Sequence, residues 1–193
     1  MKKVLGISGG RANGNVDFLV KLALEECKKM GFEIQFINLT KKKILPCTDC
    51  GMCKTSECNL PDDMPEILHL LESSDAIIIG SPTYFASVSS HIALLMERSL
   101  PLRRQGFKLK NKIGGAIAVG GSRNGGQEFV VRIIQNWFML HGMIVVADNP
   151  PTAHFGGIGM GRKPGDIEND KIGIETAKNL GKHIAEILKM TKN

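Results

Sequence analysis

The segment Lys3-Val-Leu-Gly-Ile7 runs directly into Ser8-Gly-Gly-Arg-Ala-Asn-Gly-Asn15, and this stretch predicts the start of an α/β fold. The first segment is a short apolar strand, and the second is a glycine-rich turn. A helix then begins near Asn15 or Val16 and ends at Gly31, because apolar residues recur between them at helical spacing. Those residues are Phe18, Leu19, Leu22, Ala23 and Cys27. Strand, turn and helix together place backbone N–H groups and a helix N-terminus where a phosphate can bind.

The residues of this turn decide which phosphate it suits. Gly9 and Gly14 have P-loop spacing, but Asn15 and Val16 stand where a P-loop has Lys and then Ser or Thr, so NTP hydrolysis is not expected. A dinucleotide fingerprint requires G-x-G-x-x-G and an acidic residue at the end of the second strand, and the sequence has neither. One hydroxyl, several amides and one arginine suit the terminal phosphate of a mononucleotide. A tight βα turn without a ligand is the alternative.

Further along the chain, apolar strands alternate with amphipathic helices. The remaining predicted strands span 33–38, 75–80, 112–119 and 143–147. The remaining predicted helices span 64–73, 89–98 and 166–190, and one more helix follows the fourth strand. The residues expected on the core face of that helix are Phe129, Val130, Ile133, Ile134, Trp137 and Leu140. In the last helix, the residues expected to face inward are Ile174, Ala177, Leu180, Ile184 and Ile187. Residues 149–165 contain five glycines and three prolines and predict a long irregular loop. Five strands alternating with helices predict a doubly wound parallel sheet with helices on both faces, in a single domain over residues 1–193.

Three loops of this sheet are rich in Gly, Ser or Pro. Besides the first turn, they are Ser81-Pro-Thr-Tyr-Phe85 after the third strand and Gly120 to Glu128 after the fourth. All three leave the carboxyl ends of parallel strands, where such sheets bind their ligands. We therefore expect one flat ligand, held at three places along this edge.

Four of the five cysteines fall within twelve residues, in a loop over residues 40–63 that is inserted between the second strand and the helix 64–73. They are Cys47, Cys50, Cys53 and Cys58, at spacings x2, x2 and x4. Two short spacings let one wrapped loop direct three sulfurs at one point, and the fourth closes the cage, which favours a cubane [4Fe–4S] cluster. A structural zinc ion or a thiol or disulfide role remains an alternative. Cys27 lies apart and is expected to be a buried core thiol.

Composition excludes several classes of function. The chain is 42% hydrophobic and 23% charged, which is typical of a globular protein, and it shows no export or membrane-spanning segment. Together with the clustered cysteines, this predicts a reducing cytoplasm. The formal net charge of +6 indicates solvated lysines or an acidic redox partner, and no motif indicates nucleic acid. The five histidines form no visible catalytic group, so no catalytic residue is predicted; they are His69, His91, His141, His154 and His183.

With these motifs in hand, the chain resembles the NAD(P)H-dependent FMN reductase superfamily, which is flavodoxin-like in fold, and within it the archaeal iron–sulfur flavoproteins. The resemblance runs from Val4 to the last helix and includes the first turn, Ser81 to Phe85, Gly120 to Glu128 and the cysteine motif. It implies a sheet order of 2-1-3-4-5 and FMN bound at the sheet edge beside a [4Fe–4S] cluster.

The resemblance also implies a role for individual residues. The phosphate would be held by Ser8, Arg11, Asn13, Gly14 and Asn15; the ribityl chain and ring by Pro82, Thr83, Tyr84 and Phe85; the polar edge of the ring by Gly121, Ser122 and Gly126; and the cluster by Cys47, Cys50, Cys53 and Cys58. The superfamily usually has a hydroxyl residue where this chain has Val16. One phosphate hydrogen bond therefore lacks its usual donor.

The function that this resemblance implies is electron transfer between a ferredoxin or another small electron carrier and the flavin and cluster. The first alternative is an NAD(P)H-dependent reductase of FMN or a quinone, and the second is a redox or metal sensor. Members of this family are oligomers. We therefore expect a homodimer or homotetramer, with residues 103–111 and 149–164 as candidate contacts.

Overall fold

The structure, a computed structural model, describes residues 1–191. A six-stranded parallel sheet forms its centre. The strands are β1 (Lys3–Ser8), β2 (Glu33–Asn38), β3 (Ala76–Pro82), β4 (Ile113–Gly120), β5 (Ile144–Val146) and β6 (Gly157–Met160). Their order is β2-β1-β3-β4-β5, and β6 pairs with β4 beside β5. The predicted fold class and strand order are thus confirmed, with one strand more than predicted.

Helices cover both faces of the sheet. They are α1 (Asn15–Lys29), α2 (Met64–Ser73), α3 (Ser90–Arg98), α4 (Leu100–Arg104), α5 (Gln127–Leu140) and α6 (Lys171–Met190). One core forms where α1 and α6 pack against the sheet. The other core forms where α2, α3, α4 and α5 pack against the opposite face. Strands β3 and β4 are apolar almost throughout because they are covered on both sides. No helix within residues 1–191 has the length and apolar content that a bilayer crossing requires.

The expectation of an irregular loop over residues 149–165 is wrong, because this segment contains β6. Strand β5 pairs only with the first half of β4, from Ile113 to Gly115. The second half of β4 instead pairs with β6, in a register that runs from Ile117 opposite Gly157 to Gly120 opposite Met160. Gly159 lets β6 pack closely, because a Cβ there would lie 2.6 Å from Ile167 Cδ1 and 2.7 Å from Leu19 Cδ1, so these side chains would have to shift.

Several helix details also differ from the prediction. On α5, Phe129 and Leu140 are 66% and 62% exposed, and Val131 and Phe138 take their place in the core. On α6, Ile174 and Ile187 are only half-buried. This helix begins at Lys171, after a 3-10 turn over Asp166–Asn169. The register of a helix against a sheet depends on packing from distant segments, which local periodicity does not specify.

The prediction that Cys27 is a buried core thiol is confirmed. Its side chain is fully buried, and its Sγ donates to the carbonyl oxygen of Gly181 at 3.3 Å, where α1 packs against α6. Burial raises the pKa of this thiol to about 12. Because a thiolate is the reactive and metal-binding form, the burial and raised pKa of Cys27 disfavour a role as nucleophile or ligand.

His141, at the end of α5, makes the stability of the fold dependent on pH. The residue is 3% exposed, and its Nε2 lies 3.1 Å from Ser99 Oγ, which also accepts from Trp137 Nε1 at 3.0 Å. Burial, together with the charge of Arg103, lowers the pKa of His141 from 6.5 to about 4. Between these two values the unfolded chain binds a proton that the folded chain does not. Stability is therefore lost as the pH falls from 6.5 towards 4, by about 2–3 kcal/mol.

We expect His141→Phe to flatten this part of the pH profile. Chemical unfolding of the wild type and the variant from pH 4 to pH 7 measures the difference in slope. His69→Gln, a substitution at an exposed position, is the matched control and should follow the wild-type profile. Parallel profiles for the wild type and His141→Phe would contradict the assignment.

Candidate functional site

The loop after β1 is held in shape by buried hydrogen bonds. Gly9 N donates to Gly80 O at 2.9 Å, which ties the turn to β3. The fully buried Ser8 accepts from Gly10 N at 3.2 Å, and Asn38 Nδ2 donates to Gly10 O at 3.0 Å. Ser8 therefore shapes the turn through its hydroxyl and has no exposed surface in this structure.

The second half of this loop leads into the N-terminus of α1. Asn13 has a φ of 55°, and its N–H donates to the buried carboxylate of Asp17 at 2.7 Å. Gly14 N donates to Arg11 O at 2.9 Å. Gly14 is also the N-cap residue of α1, and as a glycine it offers no side-chain acceptor to the first helical N–H groups. A helix start without a capping side chain can bind an anion.

The loop after β3 presents aromatic rings next to a buried hydroxyl. Tyr84 and Ser87 form a pair of backbone hydrogen bonds around Phe85 and Ala86, which have positive φ values of 51° and 58°. The rings of Tyr84 and Phe85 project from this turn with large exposed fractions, 61% and 106%. Thr83 Oγ1, by contrast, is buried and finds no hydrogen-bond partner among the described residues. An unpaired buried hydroxyl costs about 1–3 kcal/mol, which a bound ligand can offset.

The loop after β4 contacts the loop after β3. Gly126 has a φ of 94°, and a Cβ there would lie 2.9 Å from the Cβ of Ala86 and 3.6 Å from Thr83 Cγ2. Gln127 Nε2 donates to Ser122 O at 2.7 Å, which fixes the start of α5 against this loop. Gly121 and Ser122 are exposed on its outer side.

A cavity of about 200 Å³ lies where these loops meet. Five of the predicted cofactor-binding residues line it: Arg11, Gly14, Asn15, Pro82 and Tyr84. The other predicted residues lie in the same loops without lining it: Ser8, Asn13, Thr83, Phe85, Gly121, Ser122 and Gly126. A larger hollow of about 870 Å³ lies beside Asp75 and Lys112, where β3 and β4 begin, and none of the predicted site residues lines it.

Six residues that line the small cavity were missing from the predicted site: Gly10, Val16, Val119, Gly161, Arg162 and Pro164. The last three come from the loop after β6, which folds over the N-terminus of α1. Asn15 holds this loop, because its Nδ2 donates to Lys163 O at 2.9 Å and its Oδ1 accepts from Gly165 N at 3.0 Å. The Asn15 amide thus contacts protein at both ends. Recognising β6 in the sequence would have revealed this part of the site.

The part of the 40–63 loop that carries Cys47, Cys50, Cys53 and Cys58, called the cysteine segment below, lies between two fixed ends. At its base, Lys43 N donates to Asp63 Oδ2 at 2.8 Å, and Leu45 N donates to Asp62 Oδ2 at 2.9 Å. Arg98 locks this base: its Nη1 lies 2.5 Å from Asp62 Oδ2 and 2.6 Å from Leu45 O, and both charged side chains are almost fully buried. Burial works to lower the pKa of Arg98, but the hydrogen bond and charge of Asp62 raise it on balance.

The four cysteines between these ends are free thiols in different environments. Cys53, on a 3-10 turn over Met52–Lys54, is 9% exposed; Cys50 is exposed, and Cys47 and Cys58 are intermediate. Within the described part of the chain, no three His, Cys, Asp or Glu side chains are close enough together to form a preassembled metal site. The four sulfurs are therefore near one another in sequence without forming a cage in this structure.

Two arginines direct N–H groups at these sulfurs. Arg104 Nη1 donates to Cys53 Sγ at 2.9 Å, and Arg98 Nη2 donates to Cys58 Sγ at 3.4 Å. The hydrogen bond from Arg104 to Cys53 raises the pKa of Arg104, as do the nearby charges of Cys53, Asp49 and Cys47. Guanidinium groups stabilise thiolates, which are the form that binds a metal. Four soft sulfur donors on one segment, with cationic donors beside two of them, fit an iron–sulfur cluster.

Comparisons with known proteins agree with this geometry. Residues 2–156 match the model of the NADPH-dependent FMN reductase family. An iron–sulfur flavoprotein of Methanocaldococcus jannaschii is 53% identical over 192 residues, covering 98% of this chain and 99% of the relative. An iron–sulfur flavoprotein of Methanosarcina thermophila is 39% identical over 190 residues, covering 97% of this chain and 96% of the relative.

The similarity in structure extends to a flavodoxin. A WrbA-like flavodoxin from Agrobacterium tumefaciens superposes with a TM-score of 0.70 and 16% identity, and both chains are fully covered. At this identity the likeness supports the flavodoxin-like fold alone, whereas the sequence relatives and the family match cover most of the chain. The chain therefore belongs to the NADPH-dependent FMN reductase family of oxidoreductases, in the branch of the archaeal iron–sulfur flavoproteins.

Proposed function

We propose that this protein transfers electrons through an FMN bound at the carboxyl edge of the sheet and a [4Fe–4S] cluster bound by Cys47, Cys50, Cys53 and Cys58. The observation that carries the proposal is the presence, in one chain, of a cavity at the carboxyl edge of a flavodoxin-like sheet and a four-cysteine segment with arginine donors to its sulfurs. The names of the relatives, iron–sulfur flavoproteins, support the same pair of cofactors.

For FMN, the residues match the chemistry of each part of the ligand. Arg11 and the N-terminus of α1 provide positive charge and N–H groups for the phosphate. Thr83 provides a buried hydroxyl without a partner in residues 1–191, suited to a polar atom of the ribityl chain or ring. Tyr84 and Phe85 provide exposed rings against which a flat isoalloxazine can pack. In this proposal, the polar edge of the ring contacts Gly121, Ser122 and Gly126.

For the cluster, the protein supplies thiolates and local charge. The buried Cys53 would hold one corner of the cluster, and the Asp62–Arg98 pair fixes the base of the segment. A cluster accepts and donates one electron at a time, and a flavin can exchange one or two. No acid, base or nucleophile of the protein is needed, and its residues act by positioning the cofactors and setting their electrostatic environment.

The partner that we propose is a ferredoxin or another small, acidic electron carrier. Exposed cations lie in the loop that carries the cysteines or contact it, namely Lys41, Lys43, Lys54 and Arg104. Positive charge at this surface would steer an acidic protein toward the cluster and accelerate association at low ionic strength. We further propose a homodimer or homotetramer, with residues 103–111 and 149–164 as candidate contacts.

The second candidate function is NAD(P)H-dependent reduction of FMN, a quinone or another small acceptor. The family match, whose description specifies NADPH, favours it. The two functions differ in their donor. Anaerobic reduction of the purified protein by reduced ferredoxin and by NADPH, each followed at the flavin absorbance, separates them. Fast reduction by ferredoxin and slow reduction by NADPH is the expected result; the reverse would favour the reductase.

Thr83→Val should have opposite effects on stability and on flavin binding. Removing an unpaired buried hydroxyl should stabilise the flavin-free chain by about 1 kcal/mol, because the desolvation cost disappears. The same change should raise the FMN dissociation constant about tenfold, because a ligand hydrogen bond is lost. Thermal unfolding and fluorescence titration measure the two effects.

Thr176→Val is the matched control for this experiment. The Thr176 hydroxyl is equally buried but already paired, since it accepts from Ile158 N at 3.0 Å and donates to Gly173 O at 2.8 Å. This variant should lose stability and keep wild-type FMN affinity. A Thr83→Val chain that is destabilised and binds FMN normally would remove Thr83 from the site.

A further inference from the structure

The loop after β6, residues 161–165, is fixed against two of the three flavin-site loops. Asn15 binds it from the first helical turn of α1, through Lys163 O and Gly165 N. Gly161 N donates to Gly120 O at 2.9 Å, which joins it to the end of β4. A side chain at Gly161 would displace the Asn15 amide, because a Cβ there would lie 2.6 Å from Asn15 Nδ2. The loop is therefore placed directly beside the phosphate end of the site.

Within this loop, backbone hydrogen bonds fix the position of Arg162, which lines the cavity. The Asp166 carboxylate accepts from Arg162 N at 3.0 Å and from Lys163 N at 2.7 Å. The Arg162 side chain donates from Nε to Gly121 O at 2.9 Å and lines the same cavity as Arg11, Gly14 and Asn15. Its terminal nitrogens make no hydrogen bond or ion pair with any residue in 1–191.

Arg11 and Arg162 thus both line one small cavity, together with Gly14, the N-cap residue of α1. Neither guanidinium has an acidic partner in the described chain, although surface arginines elsewhere do, such as Arg123 with Asp170 at 2.6 Å. Two unpaired cations beside helical N–H groups suit a dianionic phosphate monoester. One cation would suffice for a singly charged group.

We propose that Arg162 is a second phosphate-binding residue, opposite Arg11, and that it makes the site prefer a flavin with a terminal phosphate over riboflavin. This inference rests on the proposed FMN site and adds to it an element from outside the segment 2–156 that matches the family. Arg162 also compensates for Val16, which has no hydroxyl to offer the phosphate.

The test compares FMN and riboflavin binding to the full-length protein, handled anaerobically, with iron content checked before and after. The variants are Arg162→Gln and, as a matched control, Lys163→Gln, which removes the same charge from the neighbouring exposed position. Fluorescence titration gives both dissociation constants. Arg162→Gln should raise the dissociation constant of FMN about tenfold and change the dissociation constant of riboflavin less than twofold. Lys163→Gln should leave both dissociation constants unchanged.

Other outcomes would overturn the inference. Equal weakening of FMN and riboflavin would assign Arg162 to the loop structure or the ring, and unchanged FMN binding would exclude it from the site. If Arg162→Gln lowers the thermal midpoint, Arg162→Lys is measured in its place. A preference for FMN over riboflavin that is retained in Arg162→Lys supports the role of the positive charge. Loss of that preference in a folded Arg162→Lys protein contradicts the inference. A wild-type protein that binds neither flavin would refute the proposed function itself.

Discussion

The Cys53→Ser protein, purified anaerobically, should retain its flavin and lose its cluster. Cys53 is the most buried of the four clustered cysteines, and Arg104 donates to its sulfur at 2.9 Å. A serine oxygen is a harder donor than a thiolate and is less readily ionised. It therefore does not replace the bond from the Cys53 sulfur to iron. Iron and acid-labile sulfide should fall from about four each per chain to nearly zero.

Cys27→Ser is the control for this variant. Both substitutions replace a buried sulfur by oxygen, but Cys27 lies between α1 and α6, far along the chain from the other four cysteines. Cys27→Ser should therefore lose some stability and keep its iron. Full iron content in Cys53→Ser, with loss of iron in Cys27→Ser, would show that the ligands had been assigned incorrectly.

The second large effect is expected for Arg11→Gln, which should weaken FMN binding by about 10–100-fold. Arg11 lies in the turn before α1, is exposed to solvent and lines the cavity. A charged hydrogen bond to a phosphate contributes about 1.5–3 kcal/mol, which corresponds to this loss. Fluorescence titration with FMN measures it.

Riboflavin is the control ligand for Arg11→Gln. Because it has no phosphate, its dissociation constant should be the same for the variant and the wild type. The Arg11→Gln and Arg162→Gln losses should add approximately if each side chain contacts the phosphate independently. An Arg11→Gln protein that binds FMN as tightly as the wild type would move the phosphate away from this turn.

The parts of the fold that depend on local sequence could be predicted. The run Ala76 to Gly80 is apolar because both faces of β3 are covered, and its composition alone marks it as a buried strand. The turn before α1 is equally readable, because Gly14 and Asn13 are residues that such a turn requires. Five of the predicted cofactor residues consequently line one cavity.

β6 could not be predicted, because it is only four residues long, two of them are glycines, and it contains a single β-branched residue. Gly157 and Gly159 lie close to Ile117 and Leu19, which are distant in the chain, and such contacts are not visible in the local sequence. The missed strand explains three of the six missed site residues, Gly161, Arg162 and Pro164. Arg162 becomes a candidate only when the loop after β6 is seen to contact Asn15.

The arginine contacts of the cysteine segment are likewise invisible in the sequence. Arg98 is 40 residues from Cys58, and Arg104 is 51 residues from Cys53. Cysteine spacing predicts a ligand set, whereas the charge around it depends on how α3 and α4 pack against the segment. Burial of the Asp62–Arg98 pair is also a tertiary property, since both residue types are usually exposed.

The central claim is that one chain carries both FMN and a [4Fe–4S] cluster. An anaerobic absorbance spectrum of the purified protein, with iron, zinc, acid-labile sulfide and FMN assayed on the same sample, tests it most directly. The expected result is flavin bands over broad visible absorbance, with about four iron and four sulfide per chain. Flavin with zinc, or flavin without metal, would contradict the claim and leave a flavin reductase whose cysteine segment has another role.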